Sequence, residues 1–171
     1  MSRRLAPVLA LLLAGCASND PSTRAVDSEG DARACQSIRS AVLARDATAL
    51  TVLHVLCNSE LVVIAGALPP DYTLAVEAVH IARTTPGVSR VETFFVPRSP
   101  REATDSSLAV QIRTAVAEGG GRAASADLTV VAGTVVLVGV VDDQAKADRL
   151  IASVGAVPGV KSVKSFLQVK P

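Results

Sequence analysis

The sequence predicts an α/β protein, of the α+β type, built from two tandem units that each run helix, strand, strand, helix, strand. Three observations lead to this prediction. The chain has 171 residues, which is enough for one ordinary domain or two very small ones. Apolar residues make up 49% of it and aromatic residues only 2%, so Val, Leu, Ile and Ala must form the core. Residues 34–96 and 108–168 carry the same residue pattern, and such self-similarity indicates a repeated structural unit.

The two copies align over their full length when small length differences are placed in the loops, which tolerate them. The matched positions are Ile38 with Ile112, Val42 with Val116, VVIAG (62–66) with VVLVG (135–139), and TPGVSRVETF (85–94) with VPGVKSVKSF (157–166). We therefore expect each unit to form a three-stranded mixed sheet packed on two helices.

The first helix of each unit is predicted by apolar residues at helical spacing. These residues are Cys35, Ile38 and Val42 in the first unit and Leu108, Ile112 and Val116 in the second. Asp105 and Ser106 stand where the second of these helices should begin, and both residue types are preferred at helix N-termini. We expect this pair to cap the helix.

A hairpin of two strands follows each helix. The residues of its first strand that should face inwards are Val55 and Cys57 in the first unit and Leu128 and Val130 in the second. The second strand, Leu61–Ala67 or Thr134–Val140, is rich in β-branched residues, which favour strands. Gly133-Thr134 suits the turn of the second hairpin, and Glu60 stands where the first hairpin would carry the glycine.

A second helix and a last strand complete each unit. The helix begins near Asp71 or Asp142 and ends at a Pro-Gly pair, because these residues stop helices. Its expected core residues are Leu74, Val79 and Ala82 in the first unit and Leu150, Ile151 and Val154 in the second. The last strands are expected over Val88–Val96 and Val160–Val169.

The first sixteen residues resemble a bacterial lipoprotein signal. Arg3 and Arg4 precede the apolar run Leu5–Leu13, which is too short to span a bilayer as a helix. The run ends in Leu13-Ala14-Gly15-Cys16, similar to the site of the lipoprotein signal peptidase. The resemblance implies cleavage before Cys16 and acylation of its thiol. The alternatives are an ordinary secretory signal with a chance Cys, or the exposed start of a cytosolic protein.

The residues after Cys16 indicate where a lipidated chain would reside. Ala17 and Ser18 come directly after Cys16, where an inner-membrane retention signal would have Asp, so the resemblance to bacterial sorting signals implies the outer membrane, on its periplasmic face. Residues 16–31 are polar, which is typical of a flexible tether. The predicted segments are a signal peptide at 1–15, a tether at 16–31, a first unit at 32–97, a linker at 98–104 and a second unit at 105–171.

The repeated unit resembles the BON domain. That family has a first helix with spaced Ile and Val, a strand that ends in V-x-L-x-G, and a helix that leads into a P-G-V-x-x-V turn and strand. The matching residues are Ile38, Val42, Val62, Ile64, Gly66, Pro86, Gly87, Val88 and Val91 in the first unit, and Ile112, Val116, Val135, Leu137, Gly139, Pro158, Gly159, Val160 and Val163 in the second. The resemblance implies a non-catalytic module associated with phospholipid surfaces and envelope integrity. We expect both strand glycines where the chain turns sharply or approaches a helix closely.

Cys35 and Cys57 are expected to form a disulfide. Cys35 begins a helix and Cys57 ends the strand that runs back along it, so the two residues return to the same end of the unit. An oxidising periplasm would favour the bond. The alternative is a pair of buried thiols that act as small hydrophobic residues.

No residue pattern predicts catalysis, a cofactor or a metal site. His54 and His80 lack Cys, Asp or Glu partners at ligand spacing. Gly119–Gly121 follows a helix, whereas a phosphate cradle precedes one. The 17 basic residues nearly balance the 16 acidic ones, which argues against nucleic acid as a partner. We therefore expect a protein that is not an enzyme.

The expected partner is an anionic phospholipid or another envelope component. By resemblance, the binding surface is the outward face of the first helix of the second unit, with Val110, Arg113, Thr114 and Ala117. A second basic group, Lys161, Lys164 and Lys170, lies on the last strand, where it would contact anionic lipid or protect a sheet edge. The alternative for this group and for the outward face of the helix is an ordinary solvated surface. The expected function is envelope maintenance, and the alternative is a protein-interaction or chaperone-like module for outer-membrane assembly.

Overall fold

A computed structural model describes residues 28–98, 105–118 and 126–170. The predicted signal peptide, Cys16, most of the tether, residues 99–104 of the linker and Gly119–Gly121 lie outside the described residues. The first unit consists of α1 (Ser28–Arg45), a 3-10 turn (Ala49–Thr51), β1 (Leu53–Asn58), β2 (Leu61–Leu68), α2 (Thr73–Thr84) and β3 (Arg90–Pro97). The second consists of α3 (Asp105–Glu118), β4 (Ala126–Val131), β5 (Thr134–Val141), α4 (Gln144–Gly155) and β6 (Ser162–Val169).

Each unit forms the three-stranded mixed sheet that the repeat predicts. The strand orders are β1-β2-β3 and β4-β5-β6. The hairpin strands pair antiparallel, with Val55 opposite Ile64 and Leu128 opposite Leu137. The last strand of each unit joins the central strand in parallel, because α2 or α4 carries the chain back across the sheet between them. The predicted α+β fold of two similar units is therefore confirmed.

Helix α1 begins before the predicted end of the tether. We expected residues 16–31 to be a tether, but Ser28–Asp31 belong to α1. Both carboxylate oxygens of Asp31 accept backbone hydrogen bonds, from Ser59 at 2.6 Å and from Glu60 at 3.0 Å. The polar composition of these residues concealed the helix, because its first turn is held by the hairpin and not by apolar packing.

Two apolar cores lie between the helices and their sheets. In the first unit, Ile38, Val42 and Ile64 are fully buried, and α2 contributes three buried alanines, Ala75, Ala78 and Ala82. In the second unit the core includes the predicted residues Leu108, Ile112, Leu128, Val130, Leu150 and Val154. The helical and strand periodicities therefore identified the inward faces of most elements.

A third apolar cluster joins the two sheets face to face. From the first unit it takes Leu56, Leu61, Val63, Ala65 and Ala67, and from the second Val131, Val136 and Val138. The partly buried Phe94, Val96 and Phe166 pack against it. Every residue of β2 is buried, because a helix layer covers one face of the strand and the other sheet covers the opposite face. The molecule is a four-layer sandwich of helices, sheet, sheet and helices.

The hairpin turns of both units use the left-handed backbone region. The central residues have positive φ values: 49° at Ser59, 62° at Glu60, 52° at Ala132 and 82° at Gly133. Two consecutive residues of this kind make the type I′ turn that suits a two-residue hairpin. Glu60 therefore occupies the position that glycine takes in the second unit, as the alignment predicted.

Gly66 lies within β2 and not at its end. A Cβ at this position would overlap the carbonyl oxygen of Val52 and would contact Cδ2 of Leu53 at 3.0 Å. The close approach that we expected at this glycine is therefore present, but its partner is the chain entering β1. No helix among the described residues is long and apolar enough to cross a membrane.

Candidate functional site

The N-terminal end of α3 is fastened to the hairpin of its own unit. The Asp105 carboxylate accepts hydrogen bonds from the backbone N–H groups of Ala132, at 2.6 Å, and Gly133, at 3.0 Å. We expected Asp105 and Ser106 to cap α3. In the structure Asp105 is the first residue of α3, and its carboxylate holds the hairpin turn. The two bonds therefore tie the first turn of α3 to the tip of the hairpin.

The outward face of α3 carries the residues that the family resemblance selected. Val110 is 61% exposed. Thr114 is exposed and its hydroxyl donates to the carbonyl oxygen of Val110 at 3.1 Å, which leaves the hydroxyl engaged with its own helix. The side chain of Ala117 lies outside the described residues. Val110 therefore supplies this face with its apolar surface.

Arg113 lies on α3 but is not fully free in solvent. Its guanidinium donates from Nη2 to the carbonyl oxygen of Leu128 at 3.0 Å. Leu128 belongs to β4, which among the described strands pairs with β5 alone and is therefore an edge strand. A guanidinium has five N–H donors, so this bond positions the group and leaves other donors available to a ligand.

A groove of about 450 Å³ runs beside α3, and we call it the α3 groove. Its volume is within the range of small-ligand sites. Its lining comes from both units: Thr51, Val52, His54 and Ala67 from the first, and Asp105, Ser106, Ala109, Val110, Arg113, Thr129, Val130 and Val131 from the second. Val110 thus stands at a groove that combines apolar walls with an arginine, a histidine and a carboxylate.

His54 lines this groove from β1. The side chain of His54 is exposed at the surface, but nearby protein atoms displace part of the water around the imidazole, and this partial desolvation lowers the pKa of His54 below its ordinary value of 6.5. The negative charge of Asp105 opposes part of the shift. The sequence offered no reason to place His54 beside α3, because the two elements meet only through the stacking of the sheets.

A second groove, of about 230 Å³, adjoins the first and lies between the edge strands β1 and β4. We call it the inter-unit groove. It contains two arginines at equivalent positions of the repeat, Arg39 and Arg113. Arg39 donates from Nη2 to the carbonyl oxygen of Val55 at 2.6 Å, as Arg113 does to Leu128. Our sequence interpretation missed Arg39, although the same 74-residue offset that matched Ile38 with Ile112 identifies it.

Each of the three lysines near the last strand contacts a different partner. Lys161 precedes β6 and donates to the carbonyl oxygen of Ala132 at 3.0 Å. Lys164 lies within β6, with its Nζ 5.4 Å from the centre of the Phe166 ring. Lys170 follows β6 and forms an ion pair of 2.7 Å with Asp142. Hydrogen bonds from Lys146 and Lys170 lower the pKa of Asp142 to about 2.

Cys35 and Cys57 are joined in a disulfide, with their Cα atoms 5.8 Å apart. The bond ties the second turn of α1 to β1, on the inner side of the first unit, and serves the same core as Ile38 and Val55. Within the described ranges, no group of three His, Cys, Asp or Glu side chains comes together as a metal site.

Comparisons with known proteins identify the second unit. The family model of the BON domain matches residues 104–171, and no curated protein sequence matches the chain. Two similar solved structures are of CdsD, a structural protein of the type III secretion system of Chlamydia trachomatis. The first, its C-terminal domain, is 16% identical, with a TM-score of 0.34 over 82% of this chain and 67% of that one. The second is also 16% identical, with a TM-score of 0.32 over 80% and 62%. The chain thus contains a BON domain, at residues 104–171, and its first unit repeats the same order of helices and strands.

Proposed function

We propose that the protein is an outer-membrane lipoprotein that faces the periplasm and supports envelope integrity by non-catalytic binding of anionic phospholipid. In this proposal Cys16 carries the acyl anchor and the first unit is also a BON domain. The outward face of α3 then meets the membrane surface. The BON domain is a module associated with membranes and phospholipids, and this association supports the proposal.

The observation that carries the proposal is the exposure of Val110 beside a basic group. An exposed apolar side chain on a helix can enter the boundary between headgroups and acyl chains, while a neighbouring cation meets the phosphates. Val110 is 61% exposed and shares the α3 groove with Arg113. Since the Asp105 bonds hold α3 in place, both side chains are presented without the cost of ordering a mobile segment.

Flotation with liposomes tests this proposal. A chain that starts at residue 22 keeps every described helix and strand and leaves out Cys16, so the acyl anchor cannot mask the contribution of α3. We expect it to float with anionic vesicles at low salt, to float less at moderate salt and not to float with zwitterionic vesicles. Arg113→Gln should weaken binding about fivefold, since one basic residue near an anionic surface contributes about 1 kcal/mol.

Val110→Asp and Val76→Asp form the matched pair for this experiment. Val76 lies on α2 of the first unit and is 66% exposed, so its substitution introduces the same charge at a similar exposure elsewhere. We expect Val110→Asp to abolish flotation and Val76→Asp to leave it unchanged. Lys164→Gln tests whether the last strand, and not α3, contacts the membrane. Equal effects of the two aspartates, or a loss only with Lys164→Gln, would contradict the proposal.

The alternative function is a protein-interaction module for outer-membrane assembly, and one surface favours it. Tyr72 and Val76 are one turn apart at the start of α2, and they are 48% and 66% exposed. An exposed aromatic beside an exposed aliphatic residue is a feature of protein-binding surfaces. If flotation fails under every condition while Val76→Asp impairs outer-membrane integrity in cells, this alternative replaces lipid binding.

A further inference from the structure

The inter-unit groove places two unneutralised guanidinium groups in one small cavity. Arg39 reaches it from α1 and Arg113 from α3, and each is held by a carbonyl oxygen of the adjacent edge strand. Neither arginine forms an ion pair within the described part of the chain. Two like charges that face one cavity repel each other, and an anion bound between them would relieve this repulsion.

The walls and the remaining polar groups of the cavity define what it can hold. Leu50, Leu53 and Leu56 line it from the first unit and Leu128 from the second, with Thr129 beside them. Its volume of about 230 Å³ is below the usual size of a drug-like site and suits one small headgroup. Asp127 also lines the cavity, and its Oδ1 accepts the backbone N–H of Leu128 at 2.8 Å. The two arginines therefore outweigh a single carboxylate.

We infer that the inter-unit groove binds a phosphate-type oxyanion, with Arg39 and Arg113 donating to it from opposite units. Guanidinium groups match phosphate oxygens in geometry, and their hydrogen bonds to anions are the stronger kind. The oxyanion is either a free phosphate or the phosphate of a lipid headgroup. In both cases it bridges the two units, because each contributes one arginine. The inference uses Arg39 and does not require that Val110 enters a membrane.

Titration of the full chain in neutral detergent, followed by amide NMR spectra, tests this inference. One arm adds inorganic phosphate at constant ionic strength, with chloride as the balancing anion. The other adds a monomeric short-chain phosphatidylglycerol, with the matching phosphatidylcholine as its control. We expect saturable shifts at Val55, Leu128 and Thr129. Saturation by phosphate alone assigns the site to a free anion, and saturation by phosphatidylglycerol alone assigns it to a headgroup.

Substitutions that remove either a positive or a negative charge from the groove make the test specific. Arg39→Gln and Arg113→Gln should each weaken binding about tenfold, since a charged hydrogen bond of this kind is worth about one order of magnitude or more in affinity. Arg83→Gln, an exposed arginine of α2, is the control and should have no effect. Asp127→Asn keeps an oxygen for the Leu128 N–H and removes the negative charge, so it should tighten binding about fivefold.

The gain expected from Asp127→Asn separates ligand binding from folding, because a misfolded variant cannot bind more tightly. Arg39→Lys keeps the charge but loses the planar fork, and it should bind between the wild type and Arg39→Gln. Absence of saturable shifts in both arms, or equal affinities of the wild type and Arg39→Gln, would overturn the inference. Val110 does not line the inter-unit groove, so the two proposals fail separately. Saturable phosphate binding without flotation would overturn the membrane proposal alone, and flotation without saturable shifts would overturn this inference alone.

Discussion

Asp31 and Asp105 lie 74 residues apart and form the same pair of hydrogen bonds, one in each unit. Oδ2 accepts from the first turn residue at 2.6 Å and Oδ1 from the second at 3.0 Å, in both cases. The receiving turns are the type I′ turns of the two hairpins. Each carboxylate thus fixes the start of a helix to the tip of a hairpin, and in the second unit that helix is α3.

We predict that Asp105→Ala lowers the free energy of unfolding by about 2 kcal/mol, because two partly buried N–H groups lose a charged acceptor. For a chain of this size the melting temperature should fall by about 4–8 °C. Thermal unfolding followed by circular dichroism measures the change. Gln111→Ala, at an exposed position of the same helix, is the control and should shift the melting temperature by less than 2 °C or so. A similar shift in both variants would show that the Asp105 bonds contribute no net stability.

The sequence repeat predicted the matching contacts of the two units only in part. Ile38, Val42 and their counterparts were identified by apolar spacing, which is strong in a helix packed on a sheet. Asp31 and Arg39 were not identified, although they stand at the same offset from Asp105 and Arg113. Both residues act by binding a hairpin that lies some 16 to 28 residues further along the chain. No local sequence pattern indicates a contact over that separation.

The stacking of the two sheets was the main structural feature that the sequence did not reveal. The strands LVVIAGAL and TVVLVGVV are apolar almost without interruption, which indicates a strand covered on both faces. That pattern does not specify whether a helix, another sheet or a partner covers the second face. His54 meets α3 only through this stacking. The residues that line both grooves could therefore not be predicted from the sequence either.

We predict that Gly66→Ala strongly destabilises the protein, since the new Cβ would overlap the carbonyl oxygen of Val52. The backbone cannot move away easily, because Gly66 is paired with Leu53 on one side and Phe95 on the other. We expect a loss of about 2–3 kcal/mol in the free energy of unfolding, measured by urea denaturation.

Gly155→Ala is the matched control for this substitution. Its Cβ would have ordinary contact with Val163 at 3.8 Å, and Gly155 is the last residue of α4. Alanine is the better helix former, so stability should be unchanged or rise by up to about 0.5 kcal/mol. If Gly66→Ala were as stable as Gly155→Ala, the chain that enters β1 at Val52 would be able to move away from the new Cβ without any loss in the free energy of unfolding.

We predict that reduction of the Cys35–Cys57 bond lowers the stability of the first unit by about 3 kcal/mol, in the chain-entropy description of a loop this long. The sequence separation is 22 residues. Hydrogen exchange should show the largest loss of protection in β1 and β2. A Cys35→Ala/Cys57→Ala variant is the control, since its stability should not respond to reductant. Equal loss of protection in β5 would contradict a local effect and indicate that both units unfold together.

We predict that His54 titrates below pH 6.5 and makes the protein less stable as the pH falls. Burial lowers the pKa of His54 in the folded chain, whereas the unfolded chain keeps the ordinary value of 6.5. As the pH drops through 6.5, the unfolded state takes up the proton first, so the free energy of unfolding declines until the folded imidazole is also protonated. The charged groups around it are Asp105 and Asp127, with Arg39 and Arg113.

NMR titration of the imidazole measures this pKa directly. Asp105→Asn should lower it further, because the opposing negative charge is lost. In urea denaturation between pH 8 and pH 5, His54→Gln should lose less stability than the wild type, and the two curves should separate only below about pH 6.5. A midpoint at or above 6.5 would mean that the negative charge of Asp105 affects the pKa of His54 more than burial does. The groove would then favour the imidazolium form. That form adds a third positive charge beside Arg39 and Arg113.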